Sequence, residues 1–343
     1  MRLSRRDFLK LAGAVGVAST IPASTLQKAL AGNGDPRVIW LQGQSCSGCS
    51  VSLLNCIDTV TVDKLLTDHI NLEYHSTLIA AAGDLALSGA FGPHPSLNEL
   101  VSFSNDWLTS EGSKFDLSGP AGELDGNVNL IDYAALCRQG YILVVEGAIP
   151  MGADGVFCDI GGHMTMKDAF DTLARNADAI LAVGACASYG GIPAAPGNPT
   201  DALSTTEAMN QLGIANSDGV IKIPGCPMHP EWFVDTVVKL LAGESVSLDS
   251  KQRPAFLFGD ANSERIHNSC SMKGAGQAAN LGETGCKRNQ GCRGEFTWGK
   301  CPSQKWNNGV SWCVQTQSTC TGCTEPNYPG AEPFFEYYTP PTA

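Results

Sequence analysis

Five short apolar runs, separated by helix-like segments, constrain the fold of this 343-residue chain. They are RVIWLQG (37–43), INLEYH (70–75), YILVVEG (141–147), AILAVGA (179–185) and VIKIPG (220–225). Continuous apolar strands that alternate with helical segments such as MKDAFDTLARNA are typical of a parallel sheet covered on both faces. We therefore predict an α/β fold built on a flavodoxin-like doubly wound parallel sheet.

Two stretches depart from this alternation. Residues 83–129 are rich in Gly, Ser, Pro, Asn and Asp, and they predict an inserted surface excursion with at most one helix, around 97–108. After about residue 253 the chain turns to Gly, Asn, Cys and Lys, so a smaller, mostly irregular domain is expected that needs cross-links or metals to hold it. The predicted division is 32–252 for the sheet domain and 253–343 for the irregular one.

The N-terminus predicts export. Residues 1–31 combine the twin arginine Arg5 and Arg6, an apolar run of roughly 14 residues that is too short to span a bilayer, and a final ALA. The alternative is an amphipathic first helix, but SRRDFLK fits the twin-arginine consensus throughout. We predict a signal peptide cut after Ala31, a periplasmic protein exported by the twin-arginine route, and no transmembrane helix in the mature chain.

Charge limits the class of partner. The net charge of the whole chain is −12, and removing residues 1–31 takes away five basic residues and one acidic residue, which leaves −16. So acidic a chain is a poor candidate for binding nucleic acid, and it favours a basic protein partner.

Fourteen cysteines in an exported chain suggest either disulfides or metal sites. The twin-arginine route carries proteins that are already folded in the cytoplasm, where thiols stay reduced, so metal or iron–sulfur ligation is the favoured interpretation. Zinc at any one site is a further alternative, because zinc sites share the C-x-x-C spacing. Three separate zinc ions would account for the cysteines. They would not explain why the loops of a doubly wound domain converge on one of these cysteine sites.

The cysteines fall into three groups by position. Two C-x-x-C pairs, Cys46 with Cys49 and Cys320 with Cys323, each supply two soft ligands on one turn. The remaining candidates are Cys158 and Cys186 at the sheet edge of the first pair, Cys301 and Cys313 just upstream of the second, and a third set of His267, Cys270, Cys286 and Cys292. Cys56, Cys137 and Cys226 are left over, and we predict that they are small buried hydrophobic residues.

Long motifs in this order resemble the small, electron-transferring subunit of nickel-iron hydrogenases. They are VIWLQGQSCSGCS, VVEGAIP, VGACASYGG, IPGCPMHP, RIHNSC, GCKRNQGC and KCPSQKWNNGVSWCVQTQSTCTGC. The resemblance covers nearly all of the chain apart from 83–129. It implies a heterodimer with a large subunit that carries a nickel-iron centre for reversible H2 oxidation, and no catalytic residue on this chain.

The resemblance also implies three clusters in a row. The ligands carried over are Cys46, Cys49, Cys158 and Cys186 for the proximal 4Fe-4S cluster, Cys301, Cys313, Cys320 and Cys323 for the medial one, and His267, Cys270, Cys286 and Cys292 for the distal 4Fe-4S cluster. Many family members have proline at the position of Cys313 and a 3Fe-4S medial cluster. A fourth thiolate here resembles the nickel-iron-selenium branch and implies 4Fe-4S, with 3Fe-4S as the alternative if Cys313 is not a ligand.

Two functional questions remain open from the sequence. Glu146, at a strand end near the proximal site, is a candidate for a proton path, and the alternative is a carboxylate that caps a nearby turn. The external partner expected from the resemblance is a multihaem c-type cytochrome or another redox carrier. A freestanding exported iron–sulfur carrier is the alternative function, and an apolar surface around Cys46 and Cys49 would favour the heterodimer instead.

Overall fold

The structure is a computed structural model. It describes residues 37–56, 61–66, 70–76, 141–160, 164–241, 244–259 and 261–330. The predicted signal peptide, the predicted insertion with its helix, and Cys137 lie outside the described residues.

A five-stranded parallel sheet forms the centre of the fold. Its strands are β1 (Arg37–Gln42), β2 (Asn71–His75), β3 (Ile142–Glu146), β5 (Ala179–Val183) and β7 (Ile221–Ile223), and their spatial order is β2-β1-β3-β5-β7. Every neighbouring pair is parallel. Each of the five apolar runs forms one of these strands, so the flavodoxin-like prediction is confirmed. A small antiparallel pair joins β4 (Ile149–Pro150) to β6 (Ala202–Leu203).

Helices follow the strands and continue into the C-terminal part. They are α1 (Gly48–Leu53), α2 (Val62–Lys64), α3 (Met166–Ala174), α4 (Gly184–Tyr189), α5 (Thr205–Gln211), α6 (Pro230–Leu241), α7 (Ile266–Ser269) and α8 (Cys301–Gln304). Short 3-10 turns lie at Gly152–Gly155, Ser217–Gly219, Asn262–Glu264, Arg288–Gln290 and Gly294–Phe296. Within the described residues, no helix is long and apolar enough to cross a membrane.

Alternate residues of each strand enter two separate apolar cores, one on each face of the sheet. Val144 belongs to the first core, which contains Trp232 of α6, while its neighbour Val145 belongs to the second, which contains Phe170 of α3. Because successive side chains of a strand point to opposite faces, a strand buried on both sides reads as one continuous apolar run.

Local hydrogen bonds set where two of the outer helices begin. Thr165 accepts a bond from the Asp168 backbone N–H at 3.1 Å and starts α3. Ser204 starts α5 with a capping box, in which its hydroxyl accepts from the Glu207 N–H and the Glu207 carboxylate accepts from the Ser204 N–H at 3.0 Å. Both arrangements satisfy backbone donors that a helix start leaves without partners.

The C-terminal part, residues 261–330, contains only short helical turns, as predicted. It does not form a separate apolar core, because Ile266, Trp312 and Val314 join the first core beside Trp232. The predicted domain boundary near residue 253 is thus crossed by shared packing, and the division itself stays a prediction.

Candidate metal centres

The first C-x-x-C pair lies at the carboxyl end of β1, where α1 begins. Ser47, which precedes α1, has a left-handed backbone with φ 61°, and this turns Cys46 and Cys49 around the helix start. Glu146 reaches across from the end of β3. Its carboxylate accepts hydrogen bonds from the Cys49 N–H at 3.1 Å and the Ser50 N–H at 3.3 Å.

The contacts of Glu146 favour the capping alternative over the proton path. The side chain is buried, and it also accepts from the Ser50 hydroxyl at 2.5 Å and from the Trp40 indole N–H at 2.9 Å. Ser50 in turn contacts the buried His75 ring at 3.2 Å. This network fixes the start of α1 and with it the position of Cys49, while the proton-path role of Glu146 stays an untested prediction.

Two neighbouring loops close around the Cys49 sulfur. The Met228 backbone N–H donates to Cys49 Sγ at 3.4 Å. Gly184 follows β5 with φ +81°, and a Cβ on it would lie 2.4 Å from the same sulfur. Only glycine combines this backbone angle with so close an approach, so the end of β5 is shaped around the Cys49 thiol.

Cys46, Cys49, Cys186 and Cys226 come together at this sheet edge. Burial raises the pKa of the Cys49 thiol, and the charge of Glu146 and then those of Cys186 and Cys226 raise it further. Burial raises the pKa of Cys186 to about 12, with contributions from Cys226, Cys46 and Glu146. Mutual repulsion of this kind requires that the sulfurs be close neighbours.

Cys158 lies apart from these cysteines, although the sequence grouped it with them. It packs against the second core, on the face covered by α3, whereas Cys49 packs in the first core. Burial and the charge of Asp159 raise the pKa of Cys158. The chain after β4 runs towards α3 and carries Cys158 with it. Cys226, which we predicted to be a small buried hydrophobic residue, lies with Cys49 and Cys186.

A sequence signal for Cys226 was available. It follows the end of β7 directly, just as Cys186 follows the end of β5. Ligands gather at the carboxyl ends of parallel strands, and this rule applies to VIKIPGC as well as to AILAVGAC. Of the other two cysteines left over from the sequence groups, Cys56 is buried in the first core and hydrogen-bonds Glu231 Oε1 at 3.1 Å.

A second group brings together Cys301, Cys313, Cys320 and Cys323, the same four residues that the sequence placed together. Burial raises the pKa of Cys301, and the charges of Cys323 and Cys313 add to the effect. Burial also raises the pKa of Cys320, with contributions from Cys292, Cys323 and Cys301. Cys313 contributes to the raised pKa of Cys323 too, so all four sulfurs of this group are neighbours.

The third group lines one open cavity. His267, Cys270, Cys286 and Cys292 share its wall with Lys273, Arg288 and Glu295, among others. His267 Nε2 lies 3.7 Å from Glu295 Oε1, and Glu295 also pairs with Arg288 at 3.1 Å. A carboxylate beside one ring nitrogen leaves the other nitrogen of His267 for a metal, as is usual for metal-bound histidines.

Contacts between cysteines place the three groups in a row. The charge of Cys226 raises the pKa of the Cys323 thiol, so the first group lies beside the second. The Cys320 N–H donates to Cys292 Sγ at 3.4 Å, which joins the second group to the third.

The donor chemistry of each group fits an iron–sulfur cluster. Every cysteine in the described part of the chain is a free thiol. Among the described residues, no three His, Cys, Asp or Glu side chains lie close enough around one point to hold a single metal ion. Thiolates, joined by one imidazole in the third group, are ligand types that iron–sulfur clusters take in proteins.

Exposed apolar side chains follow three of the strands. They are Val51, Leu54, Val156, Phe157 and Ile192, with exposed fractions from 42% to 63%. Val51 and Leu54 lie on and just after α1, which begins at the first C-x-x-C pair. Exposed apolar side chains that are grouped together are typical of protein interfaces.

Three family models match the chain. The model of the twin-arginine translocation pathway signal sequence matches residues 2–22, so the predicted export signal is confirmed. The model of the NADH ubiquinone oxidoreductase 20 Kd subunit matches 46–240. The model for the C-terminal region of the NiFe/NiFeSe hydrogenase small subunit matches 263–336.

Known relatives extend over almost the whole chain. The periplasmic NiFeSe hydrogenase small subunit of Desulfomicrobium baculatum is 33% identical, over 98% of this chain and 99% of the relative. The periplasmic NiFe hydrogenase small subunit 1 of Nitratidesulfovibrio vulgaris is 31% identical, over 97% and 93%.

Solved structures share the fold. The reduced, active form of the Ni-Fe-Se hydrogenase from Desulfomicrobium baculatum matches with a TM-score of 0.68 at 33% identity, covering 89% of this chain and 100% of that chain. The recombinant NiFeSe hydrogenase from Desulfovibrio vulgaris Hildenborough matches with a TM-score of 0.67 at 34% identity, covering 90% and 99%. The chain belongs to the small-subunit family of the NiFe and NiFeSe hydrogenases.

Proposed function

We propose that this chain conducts electrons through three 4Fe-4S clusters between the nickel-iron site of a large subunit and an external carrier. The observation that carries the proposal is the row of three sulfur-rich groups, in which the Cys320 N–H donates to the Cys292 sulfur and the charge of Cys226 acts on Cys323. When bound, such clusters take up and release single electrons, and the protein tunes them through hydrogen bonds to sulfur and through burial.

For the proximal group we propose Cys46, Cys49, Cys186 and Cys226 as ligands, with Cys226 in place of Cys158. The support is the mutual effect of these four thiols and the position of Cys158 against the other core. The Met228 backbone N–H donates to the Cys49 sulfur at 3.4 Å, which stabilises negative charge there.

For the medial group we propose four thiolates, with Cys313 as the fourth. Its charge acts on both Cys301 and Cys323, so its sulfur lies within the group. Four thiolates favour a 4Fe-4S over a 3Fe-4S cluster. For the distal group we propose His267 with Cys270, Cys286 and Cys292. A neutral imidazole carries one negative charge less than a thiolate, which favours a higher potential at that end.

The apolar surface around the proximal group supports the heterodimer over the freestanding carrier. Val51 is 58% exposed and Leu54 is 46% exposed beside the first C-x-x-C pair, in a position where a carrier would place polar residues. We assign this surface to the large subunit and the protein to the periplasm. We propose a multihaem c-type cytochrome or another redox carrier as the external partner at the distal end.

Iron content tests the ligand sets. In the purified heterodimer we expect about twelve iron atoms on this chain, four for each cluster. We expect Cys226→Ser to lower the iron content or convert one cluster, as seen in its electron paramagnetic resonance signal. We expect Cys158→Ser and Cys56→Ser to leave both unchanged. Iron loss in Cys158→Ser, with full retention in Cys226→Ser, would overturn the proximal assignment.

The medial site has a separate test. We expect Cys313→Pro to yield a 3Fe-type signal and about one iron atom less per chain. A 3Fe-type signal already present in the unaltered, freshly isolated protein would remove Cys313 from the ligand set.

A further inference from the structure

A buried ion network joins the loop after α6 to the turn that carries the second C-x-x-C pair. Arg253 Nη1 donates to the Glu325 carboxylate at 2.9 Å and to the Thr324 carbonyl oxygen at 3.1 Å. Lys251 Nζ donates to the same carboxylate at 2.6 Å. The Arg253 side chain is fully buried and that of Glu325 is 10% exposed, so solvent ions screen this pair little.

Asp249 orients the Arg253 side chain. Its carboxylate accepts from the Arg253 backbone N–H at 2.8 Å and from Arg253 Nε at 2.7 Å. The guanidinium also lies over the Phe258 ring, 4.9 Å from its centroid. Because the guanidinium is planar and its N–H donors have fixed directions, these contacts leave Nη1 aimed at the Glu325 carboxylate.

The loop that carries Arg253 is attached to the strand that leads to the proximal group. The Lys222 N–H of β7 donates to the Gln252 carbonyl oxygen at 2.8 Å. Strand β7 ends at residue 223, and Cys226 follows three positions later. A displacement of the loop is therefore transmitted to the strand end that precedes Cys226.

The other end of the network lies in the medial turn. Glu325 follows Cys323 by two positions. Its carboxylate also accepts from the Trp298 N–H at 2.9 Å, and the Thr324 hydroxyl donates to the Trp298 carbonyl oxygen at 2.7 Å. Arg253 thus contacts a turn that is itself held in place, directly beside a candidate medial ligand.

We propose that the ion pair between Arg253 and Glu325 is a positioning contact that fixes the separation of the proximal and medial clusters. The inference rests on the proposed ligand roles of Cys226 and Cys323. Electron transfer between two clusters slows steeply as their separation grows, so a contact that holds both turns in one arrangement sets the rate of the relay. A buried ion pair suits this role, because few other arrangements satisfy both of its charges.

The test separates two steps in the purified heterodimer. Exchange between H2 and deuterated water reports the nickel-iron site alone, because heterolysis of H2 needs no electron relay. Reduction of the medial cluster by H2 is followed by rapid freezing and electron paramagnetic resonance, with the medial signal identified as the one that Cys313→Pro alters. We expect Glu325→Gln to slow medial reduction several-fold and to weaken the spin coupling between the proximal and medial signals. Iron content and isotope exchange are expected to stay unchanged.

Glu244→Gln is the matched control, because it makes the same chemical change in the pair with Lys239 at 2.8 Å, just beyond the end of α6. We expect it to change neither step. Lys251→Gln keeps the test decisive if Glu325→Gln loses iron, because it removes only the partly exposed cation of the network. We expect the same slowing of medial reduction, to a smaller extent.

Three results would overturn the positioning role. They are unchanged medial reduction in every variant that retains its iron, loss of iron in both Glu325→Gln and Lys251→Gln, and equal slowing in Glu244→Gln. If H2 reduces no medial signal in the unaltered protein, the proposed relay itself fails.

Discussion

The sheet region and the C-terminal region are held together by different physical means. Residues 37–259 bury alternate strand side chains in two cores, and the strands need no metal for their pairing. Residues 261–330 contribute few apolar side chains and contain seven cysteines, all of which belong to the candidate metal groups of that region. The first region depends on apolar burial, and the second depends on its ligands and on docking against the first.

Charge follows the same division. Residues 261–330 contain seven Lys and Arg residues and four Glu residues, a net +3 in a chain of net −12. Basic side chains beside two groups of thiolates offset negative charge that a metal cluster retains. The acidic surplus lies in the rest of the chain. A partner that approaches the distal cavity therefore meets Lys273 and Arg288 locally, so the charge of the whole chain is a poor guide to that surface.

The largest difference between the regions is expected on removal of iron. We expect chelation under anaerobic conditions to release most amide protection in 261–330, because ligation supplies its folding free energy. The strands β1, β3 and β5 are expected to stay protected. Hydrogen exchange followed by mass spectrometry measures both. Equal loss of protection in the two regions would show that their stabilities are not separate.

Trp232→Ala breaks the packing that joins the regions. The Trp232 ring is buried, and its centroid lies 5.1 Å from that of Phe258 and 6.4 Å from that of Trp306. The Trp232 indole N–H donates a hydrogen bond to Gln304 of α8. We expect a loss of about 3–5 kcal/mol in the free energy of unfolding, felt in both regions. Phe170→Ala, in the second core, is expected to cost a similar amount but to spare 261–330. Local exchange rates in the two variants distinguish these outcomes.

Acid destabilisation is expected to act through His75 in the sheet region. Burial lowers the pKa of His75 from 6.5 to about 4. The unfolded chain binds this proton near pH 6.5 and the folded chain only near pH 4, so the free energy of unfolding falls as the pH drops between these values. The expected loss is about 3 kcal/mol. Denaturant titrations at several pH values give the free energy of unfolding as a function of pH. Between pH 6.5 and pH 4 this free energy should fall less steeply in His75→Asn than in the unaltered protein. An identical pH dependence in the two proteins would refute the role of His75.

The smallest effect is expected at a helix start. Ser204→Ala removes one half of the capping box of α5 and is expected to cost about 1 kcal/mol. The loss should appear in the sheet region alone. Ser303→Ala is the comparison in the C-terminal region, where the exposed hydroxyl only donates to the Lys300 carbonyl oxygen. Denaturation midpoints of the two variants measure the difference, and a larger loss in Ser303→Ala would contradict the expectation.

Much of the fold was predictable because its signals are local. A strand buried on both faces must be apolar at every position, so RVIWLQ and ILVVE reveal β1 and β3 without any knowledge of their neighbours. The positions of the medial and distal candidates, such as Cys301 and His267, were also accessible, because their spacing along the chain is short. The structure brings those two sets together as the sequence grouped them.

By itself the sequence determined the parallel sheet, the export signal and the sheet edge at which the proximal thiols gather. Only the tertiary structure decided that Cys226 lies beside Cys186 at this edge and that Cys158 packs against the second core. The reason is that the face on which a loop leaves a sheet depends on the helix that follows the loop. It also decided that the Trp232 indole N–H reaches Gln304 across 72 positions of the chain. Contacts of such separation depend on how two regions dock, and no local pattern of residues encodes that docking.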